Sequence, residues 1–201
     1  KIEGIWMEEV TDPYAKIVGV NGKRGMVGSL AATNPPGWNA DKSPAFKNKT
    51  DAIIYELHVR DASIHSSSGI MNKELGISHV HLLPSYDFFT VDESRLDKPQ
   101  YNWGYDPLNY NTPEGSYSTN PYDGSNRIKE FKRLIQGFHQ NGLRVVMDVV
   151  YNHTMFSSNS NFNQLVPGYY YRQKADGSFS DATACGNETA SERAMMRKFI
   201  L

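Results

Sequence analysis

Residues 143–150, LRVVMDVV, form a near-continuous apolar run. A strand of that character is buried on both faces, as strands of parallel sheets are. Just before it, residues 126–140 place Ile128, Phe131, Leu134, Ile135 and Phe138 on one side at helical spacing, and Gly142 supplies the stop. Residues 52–59 and 78–83 are two further β-rich runs. Strands alternating with a helix in this order predict an α/β fold, with a parallel sheet and crossover helices. A last helix is expected from about Thr189 to the end. Thr189 and Glu192 stand at capping-box spacing, and Met195, Met196 and Phe199 lie on its apolar side.

Residues 1–46 follow a different grammar: short apolar runs broken at Asp12-Pro13, at Asn21-Gly22 and at Asn34-Pro35-Pro36-Gly37. Residues 15–20 and 25–30 around Asn21-Gly22 predict a two-residue β-hairpin. So few strands do not make a stable sheet, so the segment is expected to be the tail of a β-sandwich. Residues 38–50 then serve as a polar linker. One connection fails: if the first two core strands are parallel neighbours they need a crossover helix, yet residues 60–77 carry no amphipathic pattern. A helix is therefore expected to be missing near Lys73–Glu74.

Composition narrows the function classes. The 201 residues carry a formal net charge of -1, with 21% charged residues, which gives a polyanion such as nucleic acid no basic surface. No apolar run approaches membrane-spanning length. A single cysteine, Cys185, excludes an internal disulfide. Nothing around it suggests a thiol nucleophile, and the histidines show no metal-ligand spacing beyond His79/His81. Aromatics make up 12% of the chain, and many sit among Asn, Gly and Pro: Tyr101, Trp103, Tyr105, Tyr110, Tyr117 and Tyr122. Flat rings in polar loops suit sugar faces, where C–H groups stack on the ring and hydroxyls bond to Asn and Asp; any single ring serves equally as a loop anchor.

Two constellations carry the chemistry. Asp148-Val149-Val150-Tyr151-Asn152-His153 ends the third strand, and ligands bind at the carboxyl ends of parallel strands. Strand periodicity turns Asp148 and Val150 to one face, leaving Asn152 and His153 at the mouth. Tyr101-Asn102-Trp103-Gly104-Tyr105-Asp106-Pro107 is a loop offering rings and one carboxylate. Glycoside hydrolysis needs an acid and a nucleophile or base facing each other across the bond, and no pair in the chain fits those roles.

These residues resemble the alpha-amylase superfamily of glycoside hydrolases. DVVYNH (148–153) is similar to its first signature region. YNWGYDP (101–107), NYNTPEGSYSTNPYDG (109–124), AIIYELHVRD (52–61), HLLPSYDF (81–88) and CGNETASER (185–193) look like a type I pullulanase of bacterial type. DPYAKIVGVNGKRG (12–25) resembles the end of the starch-associated carbohydrate-binding module that precedes the barrel. The resemblance implies a partial TIM (β/α)8 barrel over 47–201, behind the end of that β-sandwich module and its linker over 1–46. The implied activity is retaining cleavage of α-1,6-glucosidic branch points in pullulan, amylopectin or limit dextrins. Isoamylase, a branching enzyme or a non-catalytic glucan-binding remnant are the alternatives. By position, Tyr105 matches the ring that stacks on the sugar in subsite −1 and Asp106 the carboxylate beside it. His153 matches the histidine bonding that sugar, and Asp148 the carboxylate supporting the centre from beneath. Trp103 and Asn187 are further substrate-contact candidates. Asn152 matches a position that ligates a structural calcium in many alpha-amylases; no cofactor is otherwise required. The expected partner is an α-glucan, not nucleic acid or membrane, and the compartment, cytoplasmic or secreted, stays open. The family's catalytic carboxylates lie on later strands, beyond Leu201. A barrel needs roughly 250 residues, so this chain alone is expected to be poorly folded and inactive.

Overall fold

In a computed structural model of the chain, the structure describes residues 4–6, 9–63, 65 and 76–201; the junction near Lys73–Glu74 lies outside them. Among the described residues five strands follow one another: β1 (Ile54–Leu57), β2 (His79–Leu82), β3 (Tyr86–Phe88), β4 (Pro107–Pro113) and β5 (Arg144–Met147). Their helices are α1 (Val59–Ser63), α2 (Gly124–Gln140), α3 (Asn161–Leu165) and α4 (Ala194–Ile200).

β1, β2 and β5 form a parallel sheet in that order, with Leu57, Leu82 and Met147 in line across it. α2 crosses from the β3–β4 excursion back to β5, and its apolar stripe closes one face of the sheet. Phe138 packs there with Val80, Leu82 and Leu143, all buried; each such side chain contributes about 1.5–3 kcal/mol. The arrangement is the one expected for the opening strands of a barrel. The sequence reading made residues 143–150 buried on both faces, and the structure corrects that. Val146, Met147 and Val149 are 38%, 45% and 46% exposed, and Ile54 and Tyr55 on β1 are exposed as well. Three strands with helices on one side leave the inner face open. The short α1 also stands where no helical pattern was read.

α2 starts two residues before the expected position because Asp123 caps it, accepting from Ser125 N at 2.9 Å and Asn126 N at 3.3 Å. It ends at left-handed Gly142 (φ +77), where Gly142 N donates to His139 O and Leu143 N to Phe138 O, the paired bonds that close a helix terminus on glycine. Between β2 and α2, the β3–β4 antiparallel pair carries the loops of the candidate site. A second core joins it to the C-terminal part through Tyr86, Tyr110, Phe162, Tyr171, Met196 and Phe199.

The expected hairpin in the front segment forms in the expected register but spans one bridge, Val18–Gly25. Asn21 (φ 56) and Gly22 (φ 61) are both left-handed, as a two-residue mirror-image turn requires. Elsewhere the front segment is 3-10 turns laid along α2: Lys132 Nζ donates to Thr33 Oγ1 at 2.8 Å and Asn34 Oδ1 at 2.7 Å, and His139 meets Asp41 at 2.6 Å. The capping box at Thr189 is not realised. α4 begins at Ala194, the Thr189 hydroxyl donates to Tyr151 O, and Glu192 bonds Arg172. Part of the polar stretch 157–163, read as loop, folds into α3 with Ser160 as its cap. No helix among the described residues is long and apolar enough to cross a membrane.

Candidate functional site

The carboxyl ends of β1, β2 and β5 point toward one loop, residues 101–107. That loop is shaped by Gly104, whose φ of +91 is open to glycine, and where a Cβ would sit 2.7 Å from Pro84 Cβ and 2.8 Å from Pro84 O. Asn102 Oδ1 accepts from Gly104 N at 2.7 Å, tightening the turn. The result lifts Trp103 and Tyr105 into solvent at 63% and 37% exposure.

Tyr105 is gripped at both ends by the segment following β5. Its hydroxyl donates to Asp148 Oδ2 at 2.6 Å, and its carbonyl meets His153 Nε2 at 2.9 Å. Asp148 itself continues the β ladder, its N–H donating to Leu82 O. Burial, and then the hydrogen bond to Asp148, push the Tyr105 hydroxyl above its ordinary range, so it stays a donor. His153 is buried, and its Nδ1 lies 2.8 Å from Asn152 Oδ1, so both ring nitrogens have protein neighbours. Asp106 faces inward: Oδ2 accepts from Thr90 N at 2.9 Å and Thr90 Oγ1 at 2.8 Å, and Oδ1 from Asn102 Nδ2 at 2.6 Å. Asn152 is exposed. Asn187 is fully buried; its amide accepts from Thr154 N at 3.0 Å and donates to Thr154 O at 2.7 Å, holding the strand-end loop.

Thus Tyr105, Asp148 and His153 converge on one feature, with Trp103 beside it in the same loop. Asp106 and Asn187 brace the backbones that carry them. The aromatic run divides: Tyr101, Trp103, Tyr105 and Tyr122 are exposed, Tyr101 also lying against His58, whereas Tyr110 is core and Tyr117 packs against the same histidine. His58 was not foreseen as part of this region. Buried at the end of β1, it meets Asn102 O at 2.8 Å and the Tyr117 hydroxyl at 3.1 Å, tying β1 to the loop. Its place just beyond a strand's carboxyl end was the signal available.

A second unforeseen cluster lies beneath. Asp87, Glu93 and Glu114 are buried, with carboxylate oxygens within 4.8 Å of one another, close enough to share a cation. The Arg127 guanidinium fills that need in part: it reaches Asp87 Oδ1 at 3.1 Å and also bonds Glu93. It further donates to Gly19 O and Pro121 O at 2.8 Å each. Every carboxylate oxygen is met, with Asn109 on Asp87, Gly115 N on Glu93, and Phe88 N and Ser116 N on Glu114. One cation among three carboxylates leaves excess negative charge. Burial and the neighbouring Glu93 push Asp87 up to about 7, and burial with Asp87 and Glu93 pushes Glu114 well above the usual carboxylate range. No sequence periodicity links these four residues, which come from β3, a 3-10 turn, the end of β4 and α2.

The alpha amylase catalytic-domain family matches residues 71–176. The chain belongs to that family. Within it the similarity is to pullulanases: 45% identity to a Bacillus subtilis pullulanase over 97% of this chain and 30% of the relative. Arabidopsis thaliana pullulanase 1, chloroplastic, is 33% identical over 94% of this chain and 25% of its own length. The crystal structure of Paenibacillus barengoltzii pullulanase in complex with maltohexaose and alpha-cyclodextrin superposes with a TM-score of 0.90 at 53% identity, over 95% of this chain and 34% of that one. The chain thus spans about a quarter to a third of the length of these three relatives. The Bacillus subtilis alignment runs to 221 residues against a chain of 201, so that relative carries extra residues within the matched span.

Proposed function

We propose that this chain is the substrate-binding front part of a retaining glycoside hydrolase that cleaves α-1,6 branch linkages in pullulan, amylopectin or limit dextrins. The observation that carries the reading is the double grip on Tyr105: its hydroxyl on Asp148, its carbonyl on His153, and its ring left open at the mouth of the strands. A ring fixed at both ends offers a flat, low-entropy face to a pyranose, and Trp103 extends it. On this reading the nucleophile and the acid/base lie outside these 201 residues, and the residues present bind and orient the glucan. No cofactor is called for; Asn152, the position read for a structural calcium, has its Oδ1 against His153 Nδ1 at 2.8 Å and does not fit a calcium ligand in this arrangement. The front segment 1–46 is read as the end of a carbohydrate-binding module.

Product analysis tests this. A full-length protein carrying these residues is incubated with pullulan. Maltotriose as the product supports debranching. Release from amylopectin with pullulan untouched would shift the reading to an isoamylase. Binding of either polymer without hydrolysis would leave a glucan-binding remnant.

A further inference from the structure

We infer that Phe89 and Phe156 form a second sugar-stacking platform, taking a glucose unit of the α-glucan chain beyond the unit at Tyr105. The inference rests on the glucan reading above. The two rings lie edge to face, with centroids 4.6 Å apart and planes at 76°. In that arrangement they cannot hide both ring faces in each other. Phe89 is 44% exposed, although the ring before it, Phe88, is buried in the core.

Both rings are fixed to the site by backbone. Phe89 N donates to Asp106 O at 3.1 Å, and Met155 N donates to Pro107 O at 3.0 Å. The platform is therefore pinned to the two residues that follow Tyr105. Phe156 is held from behind as well, its carbonyl accepting from the Thr154 hydroxyl at 2.6 Å. Thr154 is in turn the residue clamped by Asn187. That gives Asn187 a reason to be buried and fully bonded: it fixes the loop that presents Phe156.

The surroundings favour a sugar over a protein partner. A protein interface is marked by a contiguous apolar patch. Here the Thr90 hydroxyl is committed to Asp106 and Met155 is exposed, and the polar groups left at the surface are Ser158 and Asn159, which follow Phe156. Rings bordered by a hydroxyl and an amide match a pyranose, with its C–H face and its equatorial hydroxyls.

The test compares maltotriose and maltohexaose binding by calorimetry to the full-length protein carrying these residues, with Phe89→Ala, Phe156→Leu and Tyr105→Ala variants. Phe156→Leu preserves the packing of a half-buried side chain, so the test survives a misfolded Phe89→Ala. The expected result is a loss of maltohexaose affinity of about two- to tenfold in Phe89→Ala, the size of one aromatic contact, with maltotriose affinity unchanged and a smaller loss of the same pattern in Phe156→Leu. An unchanged ratio of the two affinities in both variants, or equal losses for both sugars, overturns the platform. If Tyr105→Ala weakens binding while the phenylalanine variants do not, the platform alone fails. If the unaltered protein binds neither sugar, the glucan reading fails with it.

Discussion

Replacing Arg127 with methionine keeps most of the side-chain volume and removes the cation from three buried carboxylates. The guanidinium is 1% exposed, as are the two carboxylates it pairs with. Breaking a buried pair by removing one partner costs about 3–5 kcal/mol, because the other charge stays buried. Here two carboxylates lose their cation, and the carbonyls of Gly19 and Pro121 lose their donor, so the upper end applies. With a urea slope of about 1–3 kcal/mol per molar, the midpoint of a folded protein carrying these residues should fall by more than about 1 M at pH 8. The cost should shrink on acidification. Asp87 is raised to about 7 in the folded state, well above the ordinary range of an aspartate carboxyl. A carboxyl raised in this way contributes stability that is present at low pH and lost as pH rises through about 7. Without the guanidinium the proton is held more tightly still. The unaltered protein should therefore lose stability modestly from pH 6 to 8, and Arg127→Met should lose much more over the same window. An unchanged midpoint at pH 8, or a cost independent of pH, would refute the charge argument.

Two further substitutions test the site loop. Tyr105→Phe removes the 2.6 Å bond to Asp148 from a residue 37% exposed, which is worth about 0.5–1.5 kcal/mol after allowing for solvent. Maltotriose affinity should drop several-fold, and an unaltered affinity would mean the ring needs no tether. Gly104→Ala forces a side chain into φ +91, with its Cβ 2.7 Å from Pro84, at a cost of about 1–3 kcal/mol. Thermal unfolding should come earlier and the Tyr105-dependent binding should weaken; a fully native melt would show that the turn tolerates a side chain.

The sheet and its long helix were legible because their signals are local. The apolar stripe Ile128, Phe131, Leu134 and Phe138 and the run 143–150 each declare a period, and Asn21-Gly22 declares a turn. The burial of β5 on both faces was misread because the run of Val and Met reports what a strand is suited to, not what lies against it in this chain. Thr189 and Glu192 had capping spacing, but Arg172 drew Glu192 away. In the site, Asp148 and His153 were singled out by their place at a strand end and Tyr105 by its ring-rich loop, while the bracing contacts of Asp106 and Asn187 depend on partners brought in by folding, Thr90 and Thr154. The Arg127 cluster was invisible for the same reason: its partners lie up to 108 residues away along the chain, while His58 gave only its place beyond a strand end.

Arg127 touches Gly19 of the front segment and Asp87 of β3 with the same guanidinium, and Gly124, one turn earlier on α2, is packed so closely that a Cβ would meet Val18 O at 2.3 Å. Buried contacts therefore cross the boundary drawn near residue 46 from sequence. On that ground the turn at Asn21 should unfold together with α2 and β3, and moving the front segment onto another scaffold would have to carry an equivalent of Arg127 with it.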